Sequence, residues 1–418
     1  MFVSSLFIGC EYVSGRGDQL IPATTSDLTS TVLNGADVLV QSDFEVVRGK
    51  KIGLIVNHTS RVGETHLIDI ISSSTSVELV ALFGPEHGIR GDEDAGAKIE
   101  DGIDDATGVP VYSLYGANRR PTPDMLKGVD ALVFDIQDVG ARFYTFISTL
   151  GLSMQSAAEA DISFYVLDRP NPLGGKEIEG FVLDTTYTSF VGQYPIPIRH
   201  GLTVGELAKM IQGEKWLPGL ESLDLHVIAM KEWTRDMLWP ETGLAWIPPS
   251  PNLPTFETAL MYPGTCFFEA TSASEGRGTD LPFLTVGAPW MDAVAVSHSG
   301  ILGLRLIPGQ TTPTERPGKS SSPKWKDVQI NSVSIEITEP KNVQPVSAGL
   351  ELISRMYSSS TDSVQKGLFN EKWILLLGGN ADLSELIKQG TSAKQFRTSW
   401  ATELAEFEKL RSPYLLYK

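Results

Sequence analysis

Four short apolar runs recur along the first half of the chain: Lys51–Val56, Val77–Phe83, Ala131–Ile136 and Ile162–Leu167. Nearly continuous apolarity over so few residues suits strands buried on both faces. Helical periodicity is clearest at 145–160 and at 203–212, where Thr203 stands three positions before Glu206 as a capping box. This alternation predicts an α/β fold around a parallel sheet. After about residue 235 the pattern changes. Five prolines lie between Trp239 and Pro254, residues 272–279 are small and polar, and 308–326 are rich in Pro, Thr, Ser and Lys. These stretches predict loops, with a strand at 327–338 and a terminal helix at 400–410. The expected division is a leader over 1–35, an α/β domain over 36–235 and a smaller α+β domain over 236–418.

Charge narrows the partners. The 418 residues carry 34 basic and 51 acidic side chains, a formal charge of −17. Such a chain repels phosphate backbones and anionic lipid, so a small molecule or a neutral polymer is the expected partner and nucleic acid is not. Two cysteines, Cys10 and Cys266, cannot build a disulfide framework. Leu6-Phe-Ile-Gly-Cys10 resembles the end of a lipoprotein signal, although no Lys or Arg precedes it. It predicts export, with Cys10 as a candidate lipid anchor. No run of about 18 apolar residues predicts a membrane-spanning helix.

The chemistry lies after the strands. Asn57-His58-Thr59-Ser60 follows the first, Gly84-Pro85-Glu86-His87 the second, Asp135-Ile-Gln137-Asp138 with Arg142 the third, and Asp168-Arg169-Pro-Asn171 the fourth. Ligands of open parallel sheets bind outside the carboxyl ends of the strands, so four polar clusters there predict one site. A turn forced by Gly84 and Pro85 would project Glu86 from a partly apolar rim, the setting of a general acid. His87 beside it either contacts substrate or braces the turn. Asp135, Asp138 and Arg142 either orient hydroxyls or form a buried network, and rigid Asn171 suits substrate positioning. Later, Trp246 precedes Ser250 and Asn252, while Glu275 and Arg277 lie in a Gly-flanked segment. Aromatic faces beside amides, carboxylates and a guanidinium are what a carbohydrate site needs. No nucleotide-phosphate loop, dinucleotide-binding glycine pattern, zinc motif or nucleophile elbow occurs, so no cofactor or metal is expected.

Phe83-Gly-Pro-Glu-His-Gly-Ile-Arg-Gly91, Tyr112-Ser-Leu-Tyr-Gly116, Phe134-Asp-Ile-Gln-Asp-Val-Gly-Ala-Arg-Phe-Tyr-Thr145, Leu167-Asp-Arg-Pro-Asn-Pro-Leu-Gly174, Pro248-Pro-Ser-Pro-Asn252 and Ser274-Glu-Gly-Arg-Gly-Thr279 together resemble the exo-β-N-acetylmuramidase NamZ family. The resemblance runs from about residue 36 to Tyr417. It implies a Rossmann-like N-terminal domain, a smaller C-terminal domain, and release of N-acetylmuramic acid from non-reducing ends of peptidoglycan fragments. The family's proposed catalytic glutamate falls on Glu86, and its motif places Tyr144 among the substrate-binding residues. Asp135, Asp138, Asp168 and Glu275 are candidate second carboxylates, with the substrate's acetamido group as an alternative nucleophile. Muramic acid carries a lactyl carboxylate, for which Arg90, Arg142, Arg169 and Arg277 are candidate anchors. Two other readings are a non-catalytic saccharide-binding protein and an ester or amide hydrolase using Ser60 near His58.

Overall fold

Residues 31–86, 88–90, 101–116, 118–298 and 300–418 are described by the computed structural model. Six parallel strands, β1 (Lys51–Val56), β2 (Glu78–Gly84), β3 (Pro110–Ser113), β4 (Ala131–Asp135), β5 (Ser163–Leu167) and β6 (Leu225–Ile228), form one sheet. Its spatial order is β3-β2-β1-β4-β5-β6, and Gly102–Ile103 adds an antiparallel edge beside β3. This is the doubly wound order, whose switch point lies between β1 and β4.

Alternation along β1 explains why helices cover both faces. Ile52, Leu54 and Val56 pack with helices α1 (Gly35–Gln41) and α2 (Leu67–Ser72), through Ala36, Leu39, Ile68 and Ile71. Ile55 points the other way, joining Leu132, Phe134 and Val166 under α3 (Phe146–Glu159) and α4 (Val204–Gly213). The α4 capping box forms as expected, with Thr203 and Glu206 bonding reciprocally.

The second half builds on α5 (Phe256–Thr265), an antiparallel sheet and α6 (Pro345–Ser358). In that sheet β9 (Ile330–Ile337) lies between β7 (Thr285–Ala288) and β8 (Leu304–Thr311). The expectation of a surface loop from Pro308 is corrected here, because Pro308–Thr311 belong to β8. An edge strand tolerates proline, whose missing N–H costs nothing on the open side. Helices α7 (Glu371–Gly378) and α8 (Ala401–Arg411) complete this half. One apolar cluster joins Val139, Phe143, Leu173 and Ile198 of the first half to Phe267, Val286, Val346 and Ile353 of the second. Residues 31–418 form one compact unit.

Close approach of α5 and α6 requires glycine on each. A Cβ at Gly264 would lie 1.8 Å from the Pro345 carbonyl oxygen, and one at Gly349 would lie 2.3 Å from Gly264 backbone atoms. Backbone cannot yield as a flexible side chain does. Gly264→Ala is therefore expected to destabilise the protein by about 2 kcal/mol or more through overpacking, measured as a lower denaturant midpoint. An unchanged midpoint would mean that the helices separate without cost.

Candidate active site

Glu86 stands just past β2, half-buried in the turn that Gly84 and Pro85 impose. Thr145, at the head of α3, presents its hydroxyl 3.4 Å from Glu86 Oε2. Tyr115, in the turn after β3, is also hydrogen-bonded to Glu86. Its phenol is pushed up to about 12, first by burial and then by the Glu86 charge. Tyr144 lies between two carboxylates: burial raises its phenol furthest, and Glu86 and Asp138 add to the rise. Its hydroxyl is buried without a hydrogen-bond partner.

Asp138 follows β4. Its Oδ2 accepts the Gly140 N–H at 2.7 Å and faces His200 Nε2 at 3.5 Å. Oδ1 is buried with no hydrogen-bond partner. His200 Nδ1 accepts the Leu202 N–H at 3.2 Å, so the network assigns the ring proton to Nε2, on the side facing Asp138. Asn57, after β1, accepts Thr59 N–H and hydroxyl on Oδ1, while its buried Nδ2 has no partner. His58 Nε2 lies 2.6 Å from the Pro248 carbonyl and ties the 248–252 segment to the sheet. Within that segment Ser250 Oγ accepts the Asn252 N–H, and Asn252 Nδ2 donates to the Lys319 carbonyl at 2.7 Å. Both residues are buried.

Arg277 pairs with Glu269 at 2.6 Å and Glu275 at 3.3 Å, and its guanidinium lies 4.9 Å above the Phe283 ring. Burial acts to raise the Glu275 carboxyl, but Lys324 and Arg277 outweigh it and leave it below the ordinary range. Edge-to-face contacts Tyr144–Tyr262 and Tyr262–Phe283 run from the neighbourhood of Glu86 to Arg277. Lys324 was not legible as a partner, since it reaches Glu275 from a segment 49 positions away, whereas Glu269 stands eight positions before Arg277.

Several candidates prove to hold the fold. Arg142 donates to the carbonyls of Phe181, Ile196, Leu377 and Gly378 at 2.7–2.9 Å and is 1% exposed. It binds the carboxyl end of α7, where a cation satisfies orphan carbonyls, and has no surface left for substrate. Asp135 gives both oxygens to Arg169, at 2.6 and 2.8 Å, which removes both from the Glu86 cluster. Asn171 bonds Leu202 O and Leu173 N. Arg90 is held by Asp104 and Asp69.

Asp168 is fully buried and accepts from Arg169 N, Gly205 N, Thr203 Oγ1 and Tyr417 Oη. Burial pushes its carboxyl up to about 7 despite these donors. Burial likewise raises Glu179. A carboxyl raised in the folded state binds its proton there first, so the stability it contributes is present at low pH. It is lost as pH rises through about 7. The melting temperature is thus expected to fall between about pH 5 and pH 8. Tyr417→Phe, which removes one donor to the carboxylate, should steepen the fall; a rise over that range would contradict the assignment.

His87 and Cys10 lie outside the described residues. Among the described residues no group of three His, Cys, Asp or Glu side chains is placed to hold a metal ion, and no helix is long and apolar enough to cross a membrane.

Family models for the N-terminal and C-terminal parts of exo-β-N-acetylmuramidase NamZ match residues 52–257 and 260–417. The peptidoglycan β-N-acetylmuramidase NamZ of Bacillus subtilis is 41% identical over 390 residues, 92% of this chain and 91% of that protein. Two crystal structures of DUF1343 family proteins from Bacteroides fragilis share the architecture. One has TM-score 0.84 and 36% identity, the other 0.77 and 34%, each covering 93% of this chain and 99% of its own. With both halves matched and the polar clusters gathered at the strand ends, the chain belongs to the exo-β-N-acetylmuramidase NamZ family.

Proposed function

We propose that this protein is an exo-acting glycoside hydrolase that releases N-acetylmuramic acid from the non-reducing ends of peptidoglycan fragments, with Glu86 as general acid. The observation that carries the reading is the company Glu86 keeps. Tyr144 lies between the Glu86 and Asp138 charges, and Tyr144 Oη, Asp138 Oδ1 and, at the end of the intervening strand β1, Asn57 Nδ2 are all buried without partners. Each such group costs about 1–3 kcal/mol unless a ligand satisfies it. A hydroxylated, acetamido-bearing ring offers both donors and acceptors to do so. Glu86 then protonates the departing glycosidic oxygen as the sugar ring takes on oxocarbenium character. Asp138 acts on the other side through its unpartnered Oδ1, orienting either the attacking water or the acetamido group. His200 and the Gly140 N–H fix Oδ2, so that Oδ1 keeps one direction.

Arg119, which sequence reasoning did not single out, is the best placed guanidinium for the lactyl carboxylate. It is exposed, stacks 4.6 Å from the Phe190 ring, and acts electrostatically on Tyr115, the residue bonded to Glu86. The four arginines named from sequence all hold carboxylates or carbonyls instead. The test is hydrolysis of a chromogenic N-acetylmuramide against the matching N-acetylglucosaminide and a simple ester. Turnover of the muramide is expected to exceed that of the glucosaminide by far, with no turnover of the ester. Arg119→Ala should lower kcat/KM for the muramide about 30-fold, near 2 kcal/mol, and leave the glucosaminide rate unchanged. An equal loss on both sugars would assign the lactyl group elsewhere. Export and a lipid anchor at Cys10 belong to this proposal; cell fractionation of wild type and Cys10→Ala tests both.

A further inference from the structure

A cavity lies at the carboxyl ends of β1 and β4, on the side of α1. It encloses about 320 Å³ and is lined by Asn34 and Asp37 of α1, by Thr59, Arg61 and Glu64 after β1, by Gln137 and Arg169, and by Trp239, Leu244 and Ile247. Neither Thr145 nor Tyr115, both bonded to Glu86, lines it; Thr145 heads α3, whereas Asp37 comes from the helix on the opposite face. The volume is at the small end of the roughly 300–1,000 Å³ range of ligand pockets. It also occupies the switch point between β1 and β4, where sheets of this order leave a crevice.

Four charged side chains line this cavity; Arg169 acts electrostatically on Asp37, but no two of the four form a salt bridge across it. Arg61 donates Nε to the His58 carbonyl and Nη1 to the Glu64 carbonyl, leaving Nη2 without a partner among the described residues. Arg169 uses Nε and Nη2 on Asp135, which leaves Nη1. Asp37 accepts only the Asn34 N–H, through Oδ2. Glu64 gives its carbonyl to Arg61 and keeps its side chain exposed at the rim. Opposite charges around one void, unjoined to each other, present a cation for a carboxylate and a carboxylate for an ammonium group. Trp239, Leu244 and Ile247 add an apolar wall. A polyanion such as a nucleotide would meet Asp37 and Glu64, and a neutral sugar would leave Arg61, Asp37 and Glu64 unanswered.

We infer that this cavity binds a zwitterion of amino-acid or short-peptide size, its carboxylate on Arg61 and Arg169 and its ammonium on Asp37 and Glu64. A free amino acid and a peptide released from cell-wall material share that chemistry, and length separates them.

The test is calorimetric titration of the full chain with alanine, alanyl-alanine, and alanyl-alanine blocked at either end. Saturable binding of alanine or alanyl-alanine is expected, with each block weakening it about tenfold or more. Tighter binding of the dipeptide would identify the peptide source, and tighter binding of alanine the free amino acid. Arg61→Gln and Asp37→Asn should each weaken binding about tenfold while muramide hydrolysis stays within about twofold of wild type. Ala245→Phe, which places bulk at the cavity wall without altering charge, should abolish binding in a protein with unchanged melting temperature. No saturation up to roughly 10 mM for either compound, or equal binding of the blocked peptides, would overturn the proposal.

Discussion

Glu86→Gln is expected to reduce hydrolysis of a muramyl disaccharide by about 10³-fold in kcat, or about 4 kcal/mol of transition-state stabilisation. Glutamine keeps the size of the side chain and can still accept the Thr145 hydroxyl bond, but it has no proton to give. The loss should depend on the leaving group. A sugar alkoxide needs protonation as the bond breaks, whereas a nitrophenolate departs with little help, so an aryl muramide should lose only about tenfold. Binding of the disaccharide to the variant is expected to persist, measured by titration, because Tyr144, Asn57 and Asp138 are untouched. Equal losses on the two leaving groups would deny Glu86 the role of acid. Persistence of full turnover would leave the binding-protein reading no better placed, since it predicts no turnover in the wild type either.

Asp138→Asn carries the second large effect, about 10²-fold or more in kcat on both leaving groups, because the group acts at the anomeric carbon side rather than on the aglycone. The amide keeps one oxygen for the Gly140 N–H but presents an NH2 group where Oδ1 had an acceptor. His200 sharpens the assignment. Its Nε2 faces Oδ2 across 3.5 Å, and its Nδ1 is already committed to Leu202 N–H. His200→Gln should therefore lower kcat by about tenfold with KM little changed. In the double variant Asp138→Asn/His200→Gln the second change should add almost nothing, the sign of two residues working as one unit. Full additivity would place His200 in folding alone.

Much of the fold was readable from local pattern. The runs at 51–56, 131–136 and 162–167 became β1, β4 and β5 within a residue, since strands buried on both faces must be apolar throughout. The short strands β3 and β6 were not seen. Pro110-Val-Tyr-Ser and Leu225-His-Val-Ile are half-buried, near the margins of the sheet, and carry too little apolarity to register. Candidate chemistry was readable as composition but not as role. Asp135, Asp138 and Asp168 look alike in sequence, each at a strand end. Burial against Arg169 takes up the first, four donors enclose the third, and only the second keeps an open oxygen. His200 escaped notice because the partner that gives it meaning, Asp138, lies 62 positions away, and Arg119, four positions from Tyr115, because its place depends on Glu86, which Tyr115 bonds from the next strand.

From the order of residues alone follow the buried strands, the helix caps, the acidic surface charge and the position of a glutamate after a forced turn, because each depends on neighbours a few positions away. The three-dimensional arrangement alone settles which charges remain open to a ligand. A guanidinium or carboxylate is defined by what lies within about 3–4 Å of it, and for Arg142, Asp135 and Asp138 those atoms come from segments between 2 and 236 positions distant.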